Sequence, residues 1–255
     1  MGRAVPAVSR ALDILELFLD ATTLSTPQIV ERLNLPRTTV HELVGTLAER
    51  GYLTPAGGQP AHYRLGLRLF QLGSGFAENI DLVREAQDVA TEVASACDEA
   101  VHVAILDGTD VVYIARVDST HPVRMVSAVG RRLPAHCTGL GKMLLSGLSP
   151  ESFDARYPAG QRLPAMTPRS ITSVTRLRLL VTAIAATGVA YDDAESNDDV
   201  YCVAAPVYDH SGTMVAAMSI SVPGARWSPQ RRDEWTELVR RGSAGLSERL
   251  GYQAH

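Results

Sequence analysis

The sequence predicts an α+β protein in two units: an N-terminal winged helix-turn-helix and a C-terminal unit built on an antiparallel sheet of about six strands. A helical linker joins them. Three observations carry this prediction. Between Ser25 and Leu53 two short helical patterns meet at a tight turn, and a hairpin pattern comes directly after them. From Ala100 onward, strand-like runs are separated by turn residues such as Asp107-Gly108 and Asp209-His210-Ser211-Gly212. Helical patterns at 137–148 and 173–186, and from Ser228, are placed to cover the faces of that sheet. The expected boundaries are 1–66 for the winged unit, 67–80 for the linker helix and 81–255 for the α+β unit.

Taken in order, residues before Val8 look loose. Val8 to Leu19 reads as a first helix with Val8, Leu12, Leu15 and Phe18 on one side. Ser25 stands three residues ahead of Gln28, a capping box that opens the next helix, whose buried side is Ile29, Val30 and Leu33. Asn34 and Leu35 form the turn. Pro36 can start the second helix of the pair without losing a needed hydrogen bond. Val40, Leu43, Val44 and Leu47 recur at i, i+3, i+4 and i+7 and make its apolar stripe. Arg37, Thr38, Thr39 and His41 lie off the stripe, and these are residue types that reach phosphates and base edges. Residues 52–54 and 62–65 then read as a hairpin across the turn 56–60, a wing with Gln59, His62 and Arg64 available to nucleic acid. An ordinary αα-hairpin inside a helical core is the plainer alternative for the helix pair.

Leu67–Ala77 continues as a short helix. Asp81–Cys97 is a longer one with Leu82, Ala86, Val89, Ala90 and Val93 inward. Six strands are expected at Ala100–Leu106, Val111–Val117, Val123–Val129, Val189–Ala194, Val200–Val207 and Met214–Val222. Helices are expected at Cys137–Leu148, in a short piece capped by Ser149-Pro150, at Ser173–Ala186 ended by Gly188, and from Ser228-Pro229 with Trp235, Leu238, Val239 and Leu246 inward.

The net charge of −4 argues against a protein that coats nucleic acid. Residues 1–66 balance to zero, so a DNA-binding face must come from segregated charge, with Arg10, Arg37 and Arg64 as candidates for one face. No apolar run reaches the roughly 18 residues of a membrane span, and no secretory signal is seen, so a cytoplasmic protein is expected. The three cysteines, Cys97, Cys137 and Cys202, form no CxxC pair. Neither a disulfide framework nor a zinc motif is written there; small buried apolar residues in a reducing compartment are the simple reading. No metal and no cofactor is expected.

Two places concentrate polar groups beside apolar strands. In His136-Cys137-Thr138-Gly139-Leu140-Gly141-Lys142, loop glycines and a helix start expose backbone N–H groups that favour an anion, a carboxylate more than a nucleotide. Close packing of a helix on the sheet would explain the same glycines. Ser219 and Ser221 share one face of the last strand, and Cys202 and Asp192 sit on the strands before it. Together they could line a small polar pocket, or the serines could be edge residues. There is no GxSxG elbow and no HExxH, so hydrolase readings find no motif.

The chain resembles the IclR family of bacterial transcriptional regulators almost end to end. The resemblance rests on SRALDILELF at 9–18, LNLPRTTVHELVGTLAERGYL at 33–53 and YRLGLRLFQLG at 63–73. It continues in VHVAILDGTDVVYIARVDS at 101–119, LPAHCTGLGKMLL at 133–145, TPRSIT at 167–172, CVAAPVYDHSG at 202–212 and AAMSISVPGARWSPQR at 216–231. It departs from the common pattern at Cys137, where a small alanine is usual, and at Pro27. The resemblance implies a GAF-like C-terminal domain, dimers that can pair into tetramers, and repression or activation controlled by a small molecule, often an organic or aromatic acid. It implies effector contacts at the positions of Gly139, Leu140, Asp192, Cys202, Ser219 and Ser221. The expected activity is regulation of transcription, not catalysis. The helix at Pro36 would enter the major groove with Arg37, Thr38, Thr39 and His41, while Arg10 and Arg64 bind the backbone. Two-fold symmetry would require a palindromic double-stranded operator. A redox sensor using Cys137 or Cys202, and a small-molecule enzyme with a helix-turn-helix appendage, are the alternatives.

Overall fold

The computed structural model describes residues 5–57, 61–78, 81–121 and 128–253. The chain divides into two compact units, Met1–Ile80 and Asp81–His255.

In the first unit, α1 (Pro6–Glu16) runs into a single 3-10 turn at Leu17–Leu19. A short β1 (Leu24–Ser25) leads to α2 (Thr26–Leu33) and α3 (Arg37–Glu49). The hairpin β2 (Leu53–Gly57) and β3 (His62–Leu65) precedes α4 (Leu67–Glu78). At the start of α2 the Gln28 side chain accepts from both the backbone N–H and the hydroxyl of Ser25, at 2.8 and 2.9 Å. Asn34 ends α2 in the left-handed region at φ 50°, a conformation asparagine tolerates better than most residues. Ile14, Phe18, Leu24, Ile29, Val40, Val44, Leu47 and Leu53 form the core. The inward face of α1 differs from the sequence expectation. Val8 and Leu12 are exposed and Ile14 is buried in their stead, whereas Phe18 is buried and Leu15 half-buried as expected. The helix begins at Pro6 and is rotated so that the 14/18 pair meets α3. The strands form a sheet in the order β1-β3-β2, so the wing is pinned back beside α2 by pairing of Leu24 with Tyr63. Gln59 lies outside the described residues.

The second unit is a six-stranded antiparallel sheet with helices on both faces. Its elements are α5 (Asp81–Cys97), β4 (Ala100–Asp107), β5 (Asp110–Val117), β6 (Arg132–Pro134), α6 (Gly139–Ser146), α7 (Pro150–Arg156), α8 (Val174–Thr187), β7 (Ala190–Asp193), β8 (Val200–Tyr208), β9 (Met214–Pro223) and α9 (Pro229–Arg249). The strand order is β6-β5-β4-β9-β8-β7. The strand expected at Val123–Val129 falls largely outside the described residues, and the strand paired with β5 is Arg132–Pro134. The helix expected from Cys137 begins at Gly139, because Ala135–Cys137 is a separate 3-10 turn and Thr138 caps α6.

Side-chain size decides how each face is covered. One face presents branched residues, among them Val101, Val103, Val203, Ile220 and Val222, against α5 and α9, with Trp235 and Val239 packed on them. The other presents Ala104, Ala190, Ala204 and Ala217 to α6 and α8. Alanines let α6 approach the strands closely, and this closeness builds the site.

Candidate functional site

The side of α3 away from the core carries the predicted DNA-facing residues. Val40, Val44 and Leu47 are buried, while Arg37, Thr38 and His41 are exposed and Thr39 is half-buried. Arg10 on α1 and Arg64 on β3 are exposed too. The structure therefore keeps all six of these polar side chains out of the core of the first unit.

In the second unit, the antiparallel register collects the polar residues on the alanine face. Asp192 pairs with Cys202, and Cys202 with Ser221, across β7, β8 and β9. Ser219 pairs with Ala204 on one side and with His102 on the other. Cross-strand partners point to the same face. Over this row sits the start of α6. A Cβ built on Gly139 would lie 3.6 Å from Asp192 N, Cys202 Cβ and Ala204 Cβ, so the glycine rests directly on the two strands. Gly141 is held tighter, since a Cβ there would fall 2.2 Å from the Ala135 carbonyl oxygen. Gly139, Leu140, Asp192, Cys202, Ser219 and Ser221 thus come together at one place, between α6 and three strands.

The hydrogen bonds there are specific. The Cys202 thiol donates to Ser221 Oγ at 3.2 Å, and Ser221 Oγ lies 3.3 Å from His102 Nδ1. His102 meets the Tyr113 ring edge-on at 5.2 Å. Ser219 Oγ is buried and has no partner among the described residues. Asp192 spends its oxygens on the turn that comes after it: Oδ1 accepts from Glu195 N at 2.7 Å, and Oδ2 from the Ser196 hydroxyl at 2.6 Å. Asp192 therefore fastens the turn at 192–196. Ala194 in that turn has φ 61°, and the Thr167 and Ser170 hydroxyls donate to the Ala194 and Glu195 carbonyls at 2.7 Å each. Such a backbone conformation persists only when its surroundings hold it.

The Thr138 hydroxyl already accepts the Gly141 N–H at 2.9 Å. Lys142 does not face an incoming anion. It is fully buried and its ammonium pairs with Glu195 Oε1. His136 is bound to the Pro164 carbonyl at 2.9 Å. Among the described residues no three His, Cys, Asp or Glu side chains gather as a metal site. Burial pushes the Cys137 thiol up to about 11 and raises the Cys202 thiol as well. Both are held as thiols, the less nucleophilic and less oxidisable form, which weighs against a redox sensor.

Burial pushes His102 down to about 4, helped by the nearby Arg116 charge, and pushes Asp192 up to about 6. The two signs oppose each other. A histidine kept neutral contributes stability above its unfolded pKa, and that stability is lost as pH falls from 6.5 towards 4. A carboxyl kept neutral loses its contribution as pH rises from 3.8 to about 6. Both tryptophans, Trp227 and Trp235, lie in the second unit, so their fluorescence reports its unfolding. Denaturant unfolding of His102→Gln should lack a component of up to about 1.4 kcal/mol per pH unit that the wild type shows across this window. Coincident pH profiles for the two proteins would show that His102 titrates freely.

Sequence reasoning missed Glu195, Thr167, Ser170 and the positioning of Ser221 by His102. The turn at 192–196 carries no periodic signal. A lysine inside the otherwise apolar α6 was the one available hint that an acid had to lie opposite it.

A winged helix-turn-helix that exposes its second helix, joined in one chain to a separate α+β unit with a buried row of polar side chains, is the architecture of a transcriptional regulator. The chain belongs to the IclR family: residues 75–248 match the bacterial transcriptional regulator IclR C-terminal domain, and residues 7–57 match the IclR helix-turn-helix domain. It is 32% identical to the HTH-type transcriptional regulator XynR of Escherichia coli, over 98% of this chain and 99% of that one. It is 29% identical to the regulator KdgR of the same organism, over 98% and 94%. The crystal structure of an IclR homolog complexed with 4-hydroxybenzoate, from Microbacterium hydrocarbonoxydans, superposes with a TM-score of 0.83 at 25% identity, covering 96% of this chain and 98% of that one. The relatives are regulators and repressors, and this chain is a DNA-binding regulator, not an enzyme. The redox-sensor and enzyme alternatives gain no support from them. No described helix is long and apolar enough to cross a membrane.

Proposed function

We propose that residues 1–66 bind a palindromic double-stranded operator, that 67–80 form a linker helix, and that 81–255 hold a small organic or aromatic acid that controls operator binding. The protein acts in the cytoplasm as a homodimer or tetramer. Arg37, Thr38, Thr39 and His41 enter the major groove, and Arg10 and Arg64 hold phosphates. The observation that carries the effector reading is the buried, unpartnered hydroxyl of Ser219, on the same face of β9 as Ser221 and paired across the sheet with Ala204, on which Gly139 rests. A buried hydroxyl without a partner is costly unless a ligand completes it. Serine hydroxyls, not a free cation, would meet the acid, since Lys142 is already paired. The relative bound to 4-hydroxybenzoate supports an aromatic acid as one candidate.

A mobility shift with the DNA flanking its own gene, with and without a panel of carboxylic acids that includes 4-hydroxybenzoate, tests this. One acid should change the shift. Absence of sequence-preferring binding under every condition would overturn the reading. On the same DNA, Arg37→Ala should cost about 1–3 kcal/mol and relax preference at one base position. An equal loss on operator and scrambled DNA would reduce Arg37 to a phosphate contact.

A further inference from the structure

His102 belongs to the buried polar row but is not one of the six residues assigned to the effector. It is the cross-strand partner of Ser219, so the two side chains share a face. Its Nδ1 lies 3.3 Å from Ser221 Oγ, which also receives the Cys202 thiol. The titratable and charged groups around it come from four elements. Tyr113 on β5 meets its ring edge-on, and Arg116, its partner on that strand, is paired with Asp118. Cys202 and Asp192 stand on β8 and β7. Lys142 of α6 is paired with Glu195. Arg131, near Tyr113, is exposed. His136 is turned to the Pro164 carbonyl and to the Tyr157 ring.

The charges of this row decide how an acid can be held. Arg116 is matched by Asp118 and Lys142 by Glu195, while Asp192 is a further buried acid whose oxygens accept from the turn at 192–196. A carboxylate set on Ser219 therefore adds a buried negative charge with no buried cation to match it among the described residues. An unmatched buried charge is costly, and proteins relieve it by a change of protonation. In this row only His102 becomes a cation by gaining a proton. Cross-strand neighbours lie about 5 Å apart. An anion held by Ser219 thus comes within the ~4–6 Å over which an opposite charge favours the charged form of a histidine. As an imidazolium, His102 donates through both ring nitrogens. Its Nδ1 then donates to Ser221 Oγ, and the Ser221 hydroxyl proton is available to the anion.

We infer that His102 is the counter-charge of the effector acid: when the anion settles on Ser219 and Ser221, the imidazole takes up a proton from solvent. This rests on the proposed effector site and names the residue that neutralises its ligand. Acid binding should then tighten as pH falls, because burial keeps the imidazole neutral in the empty protein and the bound anion raises its pKa.

Calorimetric titration of the full chain with 4-hydroxybenzoate and with benzoate, at pH 6 in phosphate and in bis-tris, counts the protons, since the two buffers differ in ionisation enthalpy. About half a proton or more should be taken up per acid bound, and Kd should fall about fivefold or more from pH 8 to pH 5.5. His102→Gln and His102→Asn keep a hydrogen-bonding side chain that cannot accept the proton. Both should abolish the uptake and flatten the pH profile. Binding without proton uptake by the wild type overturns the inference and leaves the effector site standing. Uptake that persists in the His102 variants also overturns it, since the proton then rides on the acid itself or on Asp192, and its loss in Asp192→Asn would identify the latter. Failure of both acids to bind at millimolar concentration, or binding indifferent to Ser219→Ala/Ser221→Ala, removes the site and the inference with it.

Discussion

Lys142→Met is expected to destabilise the second unit by about 3–5 kcal/mol, because it leaves the Glu195 carboxylate buried and uncompensated. Replacing the lysine alone removes the only charge that pairs with Glu195 among the described residues. Desolvation already raises the Glu195 pKa, and without the ammonium it should rise further. The penalty should therefore shrink as the solution is acidified and the carboxyl takes up a proton. A Lys142→Met/Glu195→Gln double variant should recover most of the stability, since it removes both charges. The measurement is denaturant unfolding monitored by Trp227 and Trp235. A single variant as stable as the wild type, or a double variant no better than the single, would show that the pair is not the fastener between α6 and the 192–196 turn.

Ser219→Ala with Ser221→Ala is expected to abolish the effector response while leaving basal operator binding in place. The two serines should differ in stability. Ser221 receives the Cys202 thiol and sits against His102, so its loss should cost about 1 kcal/mol. Ser219 Oγ has no partner among the described residues, so Ser219→Ala should be neutral or stabilising by about 1 kcal/mol. A substitution that strengthens the fold and weakens the response marks a residue kept for a ligand. Mobility shifts across an acid titration, paired with unfolding curves for each single variant, read both effects. A normal response in the double variant would remove these serines from the effector site.

Much of the architecture is legible in the sequence, and for identifiable reasons. The helix pair at 25–53 is legible because its cap, its turn asparagine and its i, i+3, i+4, i+7 stripe agree locally. The β8–β9 hairpin is legible because its strands are long and its turn is a four-residue cluster of turn formers. The face of α1 is legible only in part: Phe18 is expected inward and is buried, but Val8 and Leu12 are as hydrophobic as Ile14, and only packing against α3 chooses Ile14 over them. The short strand at Arg132–Pro134 has too few residues to show alternation.

At the site the division is equally physical. Residue type and strand alternation place Ser219 with Ser221, and glycines mark the start of α6, so these residues emerge from local rules. Which residues face them is a matter of register across β4, β7, β8 and β9, and register is set by the pairing of strands distant in sequence. Only the folded sheet puts His102 beside Ser221 and brings Glu195, 53 residues further along the chain, to Lys142. Nothing in the local pattern encodes those partnerships, because they arise from where two independent segments are packed, and it is this packing that leaves Ser219 Oγ and Glu195 Oε2 without partners among the described residues.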